Sequence, residues 1–273
     1  MAAYTMLFEG GRTKCLTFSY DDGVIQDRRL VEVLNHYKLS GTFNLISGQL
    51  SGESSHSGRQ RIEREEAAAL YAGHEIASHT VHHPDLTKLP LEEAAYEVSE
   101  DMEALSSLCG YPVRGMAYPY GASSPELVQM LREMGVAYAR TTVSTGTFSI
   151  PTDFLTWQPT CHHDDPRTEE LAKAFKKTKN LALFYIWGHS YEFDERHNWN
   201  HFESLCESLA GDDEIWYATN LQIYDYCVDW QKLRLDQETA SIENPTDRDL
   251  WAKVGETSIC VPHHKTIKLV KIE

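Results

Sequence analysis

The sequence has no C-x-x-C pair, no run of lysines or arginines and no apolar stretch long enough to cross a bilayer, and each absence removes a class of function. Six cysteines (Cys15, Cys109, Cys161, Cys206, Cys227 and Cys260) are scattered along 273 residues, so zinc-ribbon and dithiol-exchange motifs are excluded. An even count in so long a chain says little for bridges, and the thiols are expected to be reduced and packed. Basic residues number 25 against 41 acidic ones, a formal charge of −16, which leaves no electrostatic footprint for nucleic acid or anionic lipid. The most continuous apolar run, Leu181 to Trp187, is far short of the ~20 residues of a membrane helix. The opening Met-Ala-Ala-Tyr-Thr-Met-Leu-Phe-Glu-Gly has neither a basic start nor a long apolar stretch, so the expected location is the cytoplasm.

What is present is the composition of a folded domain, 41% hydrophobic and 11% aromatic, in a chain long enough for a large core. Apolar spacing and turn residues alternate between strand and helix. Cys15-Leu-Thr-Phe-Ser-Tyr reads as a strand running into Asp21-Asp22-Gly23, and Asp27 then opens a helix with Leu30, Val31, Leu34 and Tyr37 on one face. Gly41 to Ile46, Glu75 to Ser78, Gly115 to Tyr118, Val136 to Thr142, Phe154 to Pro159, Leu181 to Trp187 and Ile215 to Ala218 read as further strands. Helices are expected over Arg61 to Ala72, from Pro90 past Leu105, from Ser124 to Met134, and over Arg167 to Lys177, Trp199 to Ala210 and Leu221 to Trp230. The polar, glycine-containing run Ser47 to Gly58 is a loop beside the strand ends. Seven or eight such βα units point to an α/β fold whose parallel strands close as a barrel over residues 1–230. From Lys232 the texture changes to short alternating strands, including Leu233-Arg-Leu, Leu250 to Val254 and Thr266-Ile-Lys-Leu-Val, so 231–273 is expected to form a small C-terminal β appendage.

Four chemically suggestive groups each follow an expected strand. Asp21 and Asp22 come first. His79-Thr-Val-His-His83 then offers histidines at i and i+4, which share one face if the segment turns helically, with His82 turned away. Pro119-Tyr120-Gly121 and His189 complete the set. In a parallel barrel the strand ends share one rim, so these distant positions meet, and two histidines with a carboxylate can hold a metal while leaving positions open for water and substrate.

In their order and spacing these residues resemble the motifs of the polysaccharide deacetylases, carbohydrate esterase family four, over roughly Cys15 to Tyr226. The resemblance implies a distorted (β/α) barrel of about seven parallel strands. It also implies one divalent metal ion, usually zinc, and removal of acetyl groups from an acetylated carbohydrate substrate. Asp21 would be the catalytic base, Asp22, His79 and His83 the metal ligands, His189 the catalytic acid, and the Tyr120 backbone N–H an oxyanion donor. Two other readings stand beside this one: hydrolysis of a non-sugar amide at the same site, and a metal-containing sugar-binding protein without turnover.

The chain departs from the pattern at Ala117, where the family carries an arginine that pairs with the catalytic aspartate. Arg140, in an expected strand, is the preferred substitute, with Arg114 the alternative. Asp153 and Trp157 are only a loose counterpart of the family's fourth motif. Cys161-His-His-Asp-Asp165 is expected to be a solvated loop, because adjacent ligands chelate one ion poorly. Glu192 and Asp194 lie close enough in sequence to orient His189, although a loop carboxylate is ordinarily solvated. His263 and His264 are expected at the surface.

Overall fold

The computed structural model describes residues 4–51 and 58–269. In chain order the strands are β1 (Tyr4–Leu7), β2 (Lys14–Asp21), β3 (Gly41–Leu45), β4 (Glu75–Ser78), β5 (Gly115–Ala117), β6 (Tyr138–Arg140), β7 (Cys161–His162), β8 (Ala182–Gly188) and β9 (Ile215–Tyr217). Five more follow: β10 (Arg234–Asp236), β11 (Ser241–Asn244), β12 (Leu250–Val254), β13 (Thr257–Val261) and β14 (Lys265–Lys268).

Strands β2 and β8 are buried at every position, so both faces of each need an apolar cover, and a parallel sheet wrapped by helices supplies it. The sheet runs β6-β5-β4-β3-β2-β8-β7, every pairing parallel, and β9 adds to the lower half of β2 beside Lys14–Leu16. It curls into the expected distorted (β/α) barrel. Register places Asp21 opposite Asn44 and Leu45 opposite Ser78, so the carboxyl ends of β2, β3 and β4 finish level on one rim. Helices Asp27–His36, Thr168–Lys177 and Trp199–Leu209 bury apolar stripes against the outside of the sheet, with Leu30, Leu34, Phe175, Phe202 and Leu205 in one core.

Two expectations need correction. The strand expected over Phe154 to Pro159 is instead a 3-10 turn, Phe154–Thr156, because the Asp153 carboxylate accepts from Leu155 N–H at 2.9 Å and caps it. Only Trp157 of the expected strand pairs with the sheet, in a single parallel bridge to Arg140 of β6, and the chain next joins it as β7. Cys161 and His163 are consequently buried rather than solvated, since Cys161 and His162 lie opposite Ile186 and Trp187 of β8. The loop after β3 begins with a 3-10 turn at Ser47–Gln49, and its positions 52–57 fall outside the described residues.

The appendage consists of two three-stranded antiparallel sheets, β1-β12-β13 and β10-β11-β14. The first recruits the start of the chain, with Tyr4–Leu7 pairing antiparallel to Trp251–Val254. Phe8, Trp216, Tyr226, Leu250 and Val261 share a core, so the appendage and barrel are continuous inside. All six cysteines are free, four of them buried. Among the described residues no helix is long and apolar enough to cross a membrane.

Candidate active site

Asp21 is the last residue of β2 and Asp22 the first beyond it, with φ of 84°, a left-handed conformation that few non-glycine residues adopt. That turn sends the two carboxylates in different directions. Asp21 is buried (2% exposed) and accepts from Asn44 Nδ2 at 2.8 Å and, at very close range, from Arg140 Nη2. Burial alone would raise its carboxyl, but the Arg140 charge, assisted by His79 and His189, outweighs burial and holds it below the ordinary range. Arg140 is itself fully buried, its guanidinium over the Trp187 ring at 4.6 Å. The cation missing at position 117 is therefore supplied by Arg140, whereas Arg114 pairs with Asp225 at 3.0 Å.

Asp22 turns toward the histidines. His79 Nε2 and His83 Nε2 are 3.1 Å apart, and Asp22 Oδ1 lies 3.9 Å from each. Two imidazole nitrogens bound at about 2.0–2.1 Å to one tetrahedral ion would sit roughly 3.3 Å apart, so the donor set fits a divalent metal. The tautomer fits as well: His79 Nδ1 donates to the Ala117 carbonyl at 2.8 Å, leaving Nε2 with a free lone pair. Position 117 thus acts through its backbone. Burial, then the nearby His79, pushes His83 down to about 4. Asp101 fixes the end of β4 from beneath, accepting from the Ser47 and His79 amides and from Ser78 Oγ.

The turn expected to bring the two histidines together is not helical. Thr80 and His83 both have positive φ, 68° and 62°, and Thr80 Oγ1 accepts from His83 N–H at 3.0 Å, so a tight loop does what a helical i, i+4 pair was expected to do. Tyr120 also has positive φ, 60°, and its ring contacts that of His83 with centroids 4.7 Å apart. Asp22, Thr80, His83 and Tyr120 together concentrate backbone strain around one cleft of about 770 Å³. His82 stays out of that donor set, its Nδ1 hydrogen-bonded to Glu97 at 2.7 Å.

His189 sits across the cleft, its Nε2 4.0 Å from Asp21 Oδ2. Glu192 accepts from the His189 backbone N–H at 3.0 Å and approaches its Nδ1 at 3.4 Å. Burial opposes charging of this histidine, but the Glu192 hydrogen bond and the charges of Asp21 and Asp22 raise it above the usual value. Of the two carboxylates considered in the sequence as orienters, Glu192 is therefore half-buried and engaged, whereas Asp194 accepts from Trp199 Nε1 and Gln26.

Three contributors had no sequence signal strong enough to single them out. Asn44 is one, an amide inside a strand buried at every position, and that pairing of polarity with strand context was the clue available. Arg61 is another: its Nη1 donates to the Asp22 carbonyl at 2.7 Å, and its neighbours clip to the Gly23–Ile25 turn through Ile25 N–H to Gln60 O and Ile62 N–H to Gly23 O. Trp187, the third, lines the cleft beside His189.

A curled parallel sheet carrying an Asp-His-His group, with a separate Asp–Arg pair and a His–Glu pair on the same rim, defines an α/β barrel with a candidate metal centre. Comparison with known proteins agrees: residues 9–139 match the family described as polysaccharide deacetylase. A chitooligosaccharide deacetylase of Azorhizobium caulinodans is 35% identical over 65 residues, 23% of this chain and 31% of the relative. One from Bradyrhizobium sp. is 27% identical over 129 residues, 47% of this chain and 55% of the relative. The matches thus span about a third to a half of those relatives' length. Among solved structures, a putative polysaccharide deacetylase from Mycobacterium smegmatis superposes with a TM-score of 0.61 at 16% identity, over 85% of this chain and 96% of that one. Peptidoglycan deacetylase PdaC from Bacillus subtilis gives 0.52 at 17% identity, over 80% and 93%. The sequence similarity to polysaccharide deacetylases thus covers residues 9–139, just under half of the chain.

Proposed function

We propose that the protein is a metal-dependent hydrolase that removes acetyl groups from an N- or O-acetylated carbohydrate. The observation that carries this reading is the meeting, in one cleft, of the Asp22–His79–His83 donor set with a separate buried carboxylate, Asp21, that Arg140 keeps ionised. A divalent ion such as zinc, held by those three residues, would act as a Lewis acid and make bound water more acidic.

The chain's own groups do the rest. Asp21 accepts the proton of the attacking water, and Asn44 and Arg140 hold its oxygens so that it meets the water without reorganising. The Tyr120 backbone N–H faces the oxyanion of the tetrahedral intermediate, a donor of a kind worth roughly 3 kcal/mol. His189 Nε2 gives its proton to the departing sugar nitrogen or oxygen, while Glu192 fixes the ring through the other nitrogen. Trp187, Tyr120 and Tyr191 line the cleft, and the exposed Tyr120 ring is the one best placed to pack on a sugar. The similarity to chitooligosaccharide and peptidoglycan N-acetylmuramic acid deacetylases supports an amino-sugar substrate.

Ala117 was the one reason to consider a sugar-binding protein without turnover, and Arg140 removes it by restoring the cation beside Asp21. The test is acetate release from a panel of acetylated chitooligosaccharides, peptidoglycan fragments, acetylated xylan and simple amides, before and after chelation. Metal-dependent acetate release from a sugar is expected, and Asp21→Asn should lower kcat by about 10²–10⁴-fold. Release from amides alone would move the activity to a non-sugar substrate, and no release from any of them would overturn the enzyme reading.

A further inference from the structure

Beside the cleft, behind His189, a second group of donors is assembled from β7 and the segment after β8. His162, His163, Asp164 and Glu192 each bring one nitrogen or oxygen to within 4.8 Å of the others. His163 Nε2 lies 3.1 Å from Asp164 Oδ2 and 3.5 Å from Glu192 Oε2, and Glu192 Oε2 is 3.1 Å from His162 Nε2.

Two features separate this group from an ordinary surface cluster. His163 is 2% exposed, yet neither of its ring nitrogens makes a hydrogen bond. The ring is also held in place, stacked on Phe193 at a centroid distance of 4.2 Å and flanked by His162 at 4.4 Å and Tyr20 at 5.7 Å, with Nδ1 against Gly188 and Nε2 beside the two carboxylates. A buried imidazole without partners is costly unless something completes its bonding. Asn198 Nδ2 donates to Asp164 Oδ1 at 3.0 Å and so turns Oδ2 inward.

We infer that His163, Asp164 and Glu192, completed by His162, form a second divalent transition-metal site in this protein, separate from the Asp22–His79–His83 set. Two imidazoles with two carboxylates favour zinc, cobalt or nickel over magnesium or calcium, which take oxygen ligands. Filling the site asks two adjustments of the chain. Arg196, whose guanidinium contacts Asp164 Oδ2, must swing outward, and its half-exposed side chain permits that. His162 must give up the 3.2 Å hydrogen bond its Nδ1 accepts from Asp164 N–H and carry its proton on Nδ1, so that Nε2, 3.1 Å from Glu192 Oε2, is free to bind the ion. The site does not rest on the deacetylase reading.

The test is equilibrium dialysis of chelator-stripped full-length protein against Zn²⁺ or Co²⁺, counting bound ions per chain, with circular dichroism as the check on folding. The wild type should bind two ions. A His79→Ala/His83→Ala chain should keep one, excess Mg²⁺ or Ca²⁺ should not displace it, and adding His163→Phe, which preserves the stacking, or Glu192→Gln should release it. If the double-alanine chain binds no ion, or its ion survives both added substitutions, the inference is overturned. A wild type whose single ion is lost with His163→Phe and kept in the double-alanine chain would instead sink the first site and leave this one standing.

Discussion

At the scale of residues, the Asp21–Arg140 pair is the sharpest commitment in the molecule. Both side chains are fully withdrawn from water, so removing one leaves the other as an uncompensated buried charge. Arg140→Ala should therefore cost about 3–5 kcal/mol in urea unfolding, over and above any loss of turnover. The double variant Asp21→Asn/Arg140→Met should recover most of that stability while staying inactive, because no lone charge remains. Which residues could be recognised in the sequence follows from how they are placed. Asp21, Asp22, His79, His83 and His189 stand at strand ends or in the turns just beyond them, where a local motif reveals them. Glu192 was within local reach, three residues past His189, whereas Asn44 and Arg61 act through register and a loop clip, which no local pattern encodes. Arg140 lies between these cases, visible because a required charge was missing elsewhere and its strand pointed to the same barrel.

At the scale of elements, the long apolar strand and the amphipathic helices were legible because periodicity and burial carry them, and the fold followed from their alternation. The failures were short pieces. A two-residue strand such as β7 has no period to read, and its place is fixed by pairing with β8 more than a dozen residues later. The histidine loop was misjudged because its geometry depends on two left-handed residues, one of them the β-branched Thr80. Gly188 shows how tightly such elements meet: a Cβ there would lie 2.0 Å from His163 Nδ1, and the His163 ring is hemmed in by Phe193, His162 and Tyr20. Gly188→Ala should lower stability by about 1–3 kcal/mol, measured by thermal or urea unfolding, and should shift the resonances of Tyr20 and Phe193.

At the scale of the whole molecule, buried ionisable groups couple the fold to pH. His74 is 8% exposed, its Nδ1 accepts from Gly41 N–H at 3.1 Å, and burial pushes it down to about 4. Its folded value lies below the ~6.5 of an unfolded chain, so the unfolded state binds more protons in between. The stability His74 contributes is present above that range and lost as pH falls toward 4, up to about 3 kcal/mol. Asp27, buried and raised to about 7, acts in the opposite sense, so the wild-type profile alone conceals both. The informative measurement is the difference between wild type and His74→Gln in urea unfolding at pH 7 and at pH 4.5: the variant should lose less stability on acidification. The shared core of barrel and appendage makes a second demand, that calorimetry show one unfolding transition and that a chain ending at Trp230 fail to fold.

Strand β1 carries a cost in time. Its partner, β12, lies nearly the full chain away, and at the usual ~5–20 residues per second of synthesis about 12–50 s separate the making of Leu7 from the making of Val254. Throughout that interval the rest of the barrel can be assembled while Tyr4, Met6 and Leu7 remain an unpaired edge. Nascent chains in that window are where self-association should be most acute, and slowing translation between residues 231 and 254 should lower soluble yield without changing the finished protein.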